Sequence, residues 1–125
     1  MKHIIHNDDV HIKSYAHLVL LNKVYSTMES KRWNRARDAF LKQEIRTKGC
    51  LICSYCGKAN LKLKTNKRGE QATVDHYIPK SGGGDPFSSS NFVVCCHSCN
   101  QKKASMTPEK FINSDYIKKK RLDKI

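Results

Sequence analysis

Two short cysteine-containing stretches decide how this chain folds. They read Cys53-Ser54-Tyr55-Cys56-Gly57 and Cys96-His97-Ser98-Cys99-Asn100. Two residues between cysteines let both thiolates face one ion in a tight turn, and two such turns supply the four thiolates of a closed tetrahedral zinc site. We therefore predict one structural Zn²⁺ ion, held by Cys53, Cys56, Cys96 and Cys99.

The other two cysteines leave an alternative open. Cys50 and Cys53 are also separated by two residues, so they form a rival first pair. The aromatic residue and the glycine of the stretch 53–57 favour Cys53 and Cys56. In that case Cys50 and Cys95 are expected to be small buried side chains.

Length and composition limit the class of protein. A chain of 125 residues that is 38% hydrophobic forms one small domain with a thin core, which a metal ion can stabilise. Its net charge of +13 favours a polyanionic partner, with nucleic acid first. No apolar run approaches the roughly 20 residues of a membrane span, so no membrane partner is expected.

Periodicity indicates the order of helices and strands. Apolar residues at helical spacing predict helices over about 9–28 and 30–48, and Gly49 is a plausible stop. Alternating residues at 61–64, a turn at 66–69 and a returning strand at 71–78 predict a hairpin. A short strand at 91–94 and a helix from about 96 to 106 follow. Thr107 and Pro108 resemble the start of a last, basic helix.

The stretch between the cysteine pairs carries candidate catalytic residues. Asp75 and His76 are adjacent near the end of a predicted strand, and Asn100 follows the last cysteine. Carboxylate and amide oxygens suit a hard divalent ion, and histidine is a base that works near neutral pH. Adjacent strand residues point to opposite faces, so Asp75 and His76 share a site only if the strand ends there.

Three segments together resemble the HNH endonuclease family in its zinc-knuckle form. They are Val74-Asp75-His76-Tyr77-Ile78-Pro79-Lys80-Ser81-Gly82-Gly83-Gly84-Asp85, then Asn91-Phe92-Val93-Val94, then Cys96-His97-Ser98-Cys99-Asn100-Gln101-Lys102-Lys103. The resemblance implies a ββα-metal fold in which His76 activates water and Asn91 braces the loop that orients it. It also implies that Asp75 and Asn100 hold one Mg²⁺ or another divalent ion such as Mn²⁺. Asn100 stands where the family name has histidine, which makes this an H-N-N variant.

The predicted fold is therefore α+β, a small ββα-metal core with a four-cysteine zinc site, N-terminal helices and a C-terminal helix. We expect residues 1–49 to be a helical extension packed on the core, 50–106 to be the nuclease core and 107–125 to be a basic helix. The stretch 1–9 lacks the apolar run of a signal peptide, so we expect an intracellular, cytoplasmic protein of bacterial or phage type.

The predicted function is metal-dependent hydrolysis of DNA phosphodiester bonds, on double-stranded DNA. A non-catalytic zinc-ribbon module that binds nucleic acid is the alternative. One ββα site cuts one strand, so a double-strand break would need a homodimer or two visits. The basic residues predicted to contact nucleic acid are Arg35, Lys62, Lys64, Lys67, Arg68, Lys102 and Lys103.

Overall fold

The computed structural model describes residues 8–123, with side chains from residue 16 onward. Most of the stretch 1–9, on which the expectation of an intracellular protein rests, lies outside the described residues, as does the end of the basic tail at 124 and 125. The chain divides into two compact units after Asn34, and each is described by itself. The domain boundaries at 49 and 107 stay predictions.

A single helix, α1, covers Asp8–Lys48, where two helices were expected. It contains no glycine or proline, so nothing at residues 28–30 interrupts its hydrogen bonding. Gly49 ends it with a φ of +79°, which glycine adopts easily. In the first unit several apolar side chains of α1 are exposed, among them Leu18, Leu21, Tyr25 and Met28. Neither α1 nor any other helix within residues 8–123 has an apolar stretch long enough to cross a membrane.

Two antiparallel strands and one helix form the centre of the second unit. β1 (Ala72–His76) pairs with β2 (Phe92–Cys96), so that His76 lies opposite Phe92. α2 (His97–Lys103) begins directly after β2, and its side chains contact β1. The predicted α+β class with a small ββα core is therefore confirmed.

The core of the second unit is thin and lies around this sheet. Val74 and Val94 pair across the two strands, and both are buried. The C-terminal end of α1 adds Leu41, which is buried, and Phe40, whose ring meets that of Phe92 edge-on at 5.5 Å. Edge-to-face geometry is the arrangement that aromatic quadrupoles favour.

The predicted hairpin between 61–64 and 71–78 is wrong. β1 pairs instead with β2, and the earlier segment makes only one isolated bridge, Lys62 to Gln71. Lys62 bonds Glu70 and Ala72, each at 2.8 Å, so the contact stops at the first residue of β1. Leu61 is buried, and its amide donates to the carbonyl of Leu51 at 3.0 Å.

Two short helices follow where one was expected. Thr107 caps α3 (Pro108–Ile112), as predicted from its hydroxyl and the proline after it. Ser114 then caps α4 (Asp115–Leu122) by accepting from an amide of the next turn, so a second helix starts there. Buried Phe111 and Ile117 place both helices on the core.

Candidate active site and metal centre

The four cysteines predicted to bind zinc lie together. All four sulfur atoms, of Cys53, Cys56, Cys96 and Cys99, are within 4.8 Å of one another, and all four residues are buried. The Sγ atoms of Cys56 and Cys96 are 3.8 Å apart. Two thiolates on a tetrahedral zinc ion, with bonds of about 2.3 Å, lie about 3.8 Å apart. The arrangement is therefore compatible with a zinc site.

Local backbone geometry builds each half of this cluster. The amide of Cys56 points to Sγ of Cys53 and the amide of Cys99 to Sγ of Cys96, each at 3.5 Å. Gly57 adopts a φ of +79° directly after the first pair, which allows the chain to turn beneath the sulfurs. The spacing in the sequence thus places the two sulfurs of each pair in one turn, and the amide of Ser54 joins the first turn to β2 by donating to Val94 at 2.8 Å.

The two remaining cysteines differ from each other. Cys50 is exposed and lies outside the cluster, so the rival pair with Cys53 is excluded. The prediction that Cys50 is buried is wrong, because Cys50 follows the end of α1 at the surface. Cys95 is fully buried, as expected. The thiols of Cys95 and Cys96 lower the pKa of Cys53, and the contact with Cys53 raises the pKa of Cys95.

Asp75 lies at the centre of a buried polar network that links the sheet, the first cysteine pair and α2. The hydroxyl of Tyr55 donates to Oδ2 of Asp75 at 2.6 Å, and Nζ of Lys103 lies 3.0 Å from the same oxygen. The Lys103 side chain is 0% exposed and that of Asp75 is 7% exposed. Burial and the bond to Asp75 raise the pKa of Tyr55. Among the described residues Oδ1 of Asp75 has no hydrogen-bond partner.

Sequence reasoning missed both partners of Asp75. Tyr55 was noted only as an aromatic within the cysteine pair, and Lys103 was counted as a phosphate contact. The spacing of residues on α2 could have indicated that Lys103 faces β1. Asn100 and Lys103 are three residues apart, so both lie on the face of α2 that meets β1.

His76 is oriented by contacts on both sides of its ring. Its Nε2 lies 2.9 Å from the carbonyl oxygen of Pro86, and its ring meets Phe92 edge-on with centroids 5.7 Å apart. A carbonyl can only accept, so Nε2 carries the hydrogen in this contact. The backbone carbonyl of His76 accepts from Nζ of Lys103 at 3.1 Å. One lysine thus contacts both Asp75 and His76.

Asn91 clamps the chain that follows His76. Its Oδ1 accepts from the amide of Ile78 at 2.8 Å, and its Nδ2 donates to the carbonyl of the same residue at 2.9 Å. Gly84 packs against this clamp so closely that a Cβ atom there would lie 2.0 Å from the Ile78 carbonyl oxygen. The clamp determines where the loop leaves β1.

Asn100 contacts β1 one helical turn before Lys103. Its Nδ2 donates to Oγ1 of Thr73 at 3.1 Å, and Thr73 in turn donates to the carbonyl of Cys95 at 2.7 Å. Because the Thr73 proton is used, Thr73 must accept from Asn100, which decides the amide orientation. Oδ1 of Asn100 therefore points away from Thr73, and it accepts no hydrogen bond from the described residues.

An open cleft of about 220 Å³ joins these residues at the end of β1. Asp75 and His76 both line it, so the structure brings the two predicted residues together; the other lining residues are Pro79, Lys80, Ser81, Ala104 and Ser105. Asn100 is not among them. Ala104 has a φ of +47°, a conformation in which alanine is strained.

The predicted nucleic-acid contacts divide into exposed residues and one buried residue. Arg35, Lys62, Lys64, Lys67, Arg68 and Lys102 are exposed. Glu70 approaches two of them, with ion pairs to Lys62 at 3.0 Å and Lys67 at 3.9 Å. Lys103 differs, because its ammonium is fully buried against Asp75. We therefore reassign Lys103 from phosphate contact to the support of Asp75.

Comparison with known proteins agrees with this geometry. The family model of the HNH endonucleases matches residues 53–116, which include both cysteine pairs, β1, β2 and α2. No curated protein and no solved structure matches. HNH nuclease domains act on DNA, and a nuclease-type function is supported over the alternative of a binding module. Since the match covers just over half of the chain and contains the four-cysteine cluster, the protein belongs to the HNH endonuclease family.

Proposed function

We propose that this protein is a metal-dependent endonuclease that hydrolyses DNA phosphodiester bonds. His76 is its general base, and Asp75 and Asn100 hold one divalent ion, Mg²⁺ or Mn²⁺. The observation that carries the proposal is common to Asp75 and Asn100. In each side chain one polar atom, Oδ2 of Asp75 or Nδ2 of Asn100, is hydrogen-bonded or ion-paired within the protein. The other, Oδ1, makes no hydrogen bond with the described residues.

This donor set fits a hard divalent cation. Magnesium prefers oxygen ligands and is bound through one or two carboxylates, with water and phosphate completing the shell. One carboxylate oxygen and one amide oxygen leave most of the shell to water and phosphate. Asp75 lines the open cleft, and Asn100 is held on the same strand through Thr73. When bound, the ion would neutralise charge on the scissile phosphate and on the leaving 3′ oxygen.

The role of His76 follows from its place in the cleft and from how its ring is held. The ring lines the cleft beside Asp75 and is held by the Pro86 carbonyl and by Phe92, so its imidazole is positioned to accept a proton from the attacking water. Asn91 supports this orientation indirectly, because its clamp on Ile78 sets the course of the chain that leads from His76 to Pro86.

We also propose that the four-cysteine cluster holds one structural Zn²⁺ ion. Four buried thiolates without an open position are typical of structural zinc, which contributes folding free energy. Tyr55 lies between two of these ligands and bonds Asp75. The zinc ion therefore stabilises the position of a catalytic metal ligand as well as the fold.

DNA, in its double-stranded form, is the proposed substrate. Six exposed basic residues are the proposed phosphate contacts: Arg35, Lys62, Lys64, Lys67, Arg68 and Lys102. They are part of the chain's net charge of +13, which suits a polyanionic partner. Affinity should fall steeply with salt, since each neutralised phosphate releases counterions. A homodimer is proposed for double-strand breaks, because a single site of this type cuts one strand.

Cleavage of supercoiled plasmid tests the function. We expect wild-type protein to nick the plasmid with Mg²⁺ and not with EDTA, and His76→Ala to lower the rate at least about 100-fold, the usual share of general-base catalysis. His17→Ala is the matched control, because His17 is exposed on α1. If His76→Ala cuts at the wild-type rate, His76 is not the base. If wild-type protein binds DNA and never cuts it, the protein is a non-catalytic binding module.

A further inference from the structure

The buried ion pair between Asp75 and Lys103 has a consequence for how the cleft acquires its metal ion. We propose that the free protein binds the divalent ion weakly and that the ion enters together with a DNA phosphate, because Lys103 neutralises the carboxylate that would otherwise attract it. Lys103 is then a positioning residue that couples metal binding to substrate binding. This inference rests on the proposed function, since it concerns the same cleft.

The charges around the cleft support this inference. Asp75 is the only carboxylate that lines it among the described residues, and Lys80 lines it too. The one lining carboxylate is already compensated by the buried ammonium of Lys103. Affinity for hard divalent cations rises with the number of charged ligands. A site whose single carboxylate is paired in this way therefore lacks the charge that tight binding of a free cation requires.

Lys103 cannot move away to make room for a cation. Its side chain is 0% exposed, and its Nζ lies 3.0 Å from Oδ2 of Asp75 and 3.1 Å from the carbonyl oxygen of His76. A buried ammonium that left these partners would lose its compensation in a medium of low dielectric. The ammonium therefore stays beside Asp75, and Oδ2 stays occupied by Lys103 and Tyr55.

A DNA phosphate supplies what the free protein lacks. Each phosphodiester carries one negative charge and adds oxygen ligands, so it offsets the ammonium groups and completes the coordination shell. Binding free energies are reciprocal, so if DNA tightens metal binding by some factor, the metal tightens DNA binding by the same factor. Couplings of this kind are typically about 5- to 150-fold.

Binding of Mn²⁺, measured by the electron paramagnetic resonance signal of the free ion, tests the coupling without any cleavage. The protein is the zinc-loaded full chain carrying His76→Ala, which keeps both proposed ligands and prevents turnover. We expect a dissociation constant weaker than about 10⁻⁴ M in the free protein, and at least about tenfold tighter binding with a short duplex. The same duplex without protein gives the background.

A charge variant tests the cause. Lys103→Met should tighten Mn²⁺ binding to the free protein by about tenfold or more, because a nearby positive charge is removed from a poorly solvated site. Lys110→Met is the matched control, since it removes the same charge from an exposed position on α3, where solvent screens it. The control should change Mn²⁺ affinity of the free protein less than about twofold.

The outcomes separate this inference from the proposed function. Equal Mn²⁺ affinity with and without DNA, or tight binding by the free protein, would overturn the inference even if wild-type protein cuts plasmid. Coupled binding of Mn²⁺ and DNA by a wild-type protein that never cuts would support the inference and reject the nuclease. Should Lys103→Met fail to fold by circular dichroism, the comparison with and without DNA decides the question alone.

Discussion

Replacing Tyr55 with phenylalanine removes one oxygen atom from the network that holds Asp75. The hydroxyl donates to Oδ2 of Asp75 at 2.6 Å, while the ring packs edge-on against Phe111 with centroids 5.1 Å apart. Phenylalanine keeps that ring contact. The change therefore isolates a hydrogen bond between a buried tyrosine and a buried carboxylate.

The expected loss of stability follows from the charge of Asp75, which accepts this hydrogen bond. Hydrogen bonds to charged groups contribute about 1.5–3 kcal/mol, roughly twice a neutral bond. Lys103 still compensates Asp75 in the variant, so the carboxylate is not left unpaired, and we expect Tyr55→Phe to lower the free energy of unfolding by about 2 kcal/mol. In a chain of 125 residues that corresponds to about 8 °C in Tm, between the values for smaller and larger domains.

Urea unfolding at a fixed, saturating zinc concentration measures this loss. Tyr25→Phe is the control, because Tyr25 is 68% exposed, and it should change stability by less than about 0.5 kcal/mol. A loss of under 0.5 kcal/mol for Tyr55→Phe would show that this hydrogen bond does not stabilise the native state.

The same variant makes a prediction about alkaline pH. Burial and the bond to Asp75 raise the pKa of Tyr55 above its ordinary value near 10. The unfolded chain therefore releases this proton first, so the stabilisation is complete below about pH 10 and is lost as the pH rises above it. Wild-type protein should lose stability above pH 10 more steeply than Tyr55→Phe. Parallel losses would contradict this assignment of the pKa.

Three further changes test other parts of the fold. Cys96→Ser should lower stability severely, because structural zinc contributes folding free energy; an unchanged Tm with one bound zinc would reject the metal site. Gly84→Ala should displace the Ile78 carbonyl, which should slow plasmid cleavage at least about tenfold and lower the free energy of unfolding by about 1–3 kcal/mol. Gly82→Ala is the control and should do neither, because a Cβ atom there has only ordinary contacts. Ala104→Gly should raise stability by up to about 1 kcal/mol, since φ +47° and ψ −120° suit glycine; a loss measured by urea unfolding would show that the strain estimate is wrong.

Much of the site could be predicted because its information is local. Cysteines separated by two residues place their sulfurs on one ion through the geometry of a single turn, and the Thr107 cap depends only on its own hydroxyl and the next turn. The order of β1, β2 and α2 follows from short stretches of alternating or helical pattern. These features need few contacts from distant residues, so the sequence reveals them directly.

What the sequence could not reveal depends on contacts between distant segments. Lysine is an exposed residue in most proteins, and only the packing of α2 on β1 shows that Lys103 is buried beside Asp75. The hairpin was wrong for a similar reason, since β1 pairs along its length with β2, which lies further along the chain.

The amino-acid sequence shows which chemical groups are present and which neighbours share a turn: two cysteine pairs, an aspartate next to a histidine, and an asparagine after the last cysteine. Only the packed fold shows which atom of each group is occupied. Oδ2 of Asp75 is taken by Tyr55 and Lys103, and Nδ2 of Asn100 by Thr73. Burial and hydrogen-bond partners arise where segments far apart in the chain meet, and no local pattern records that meeting.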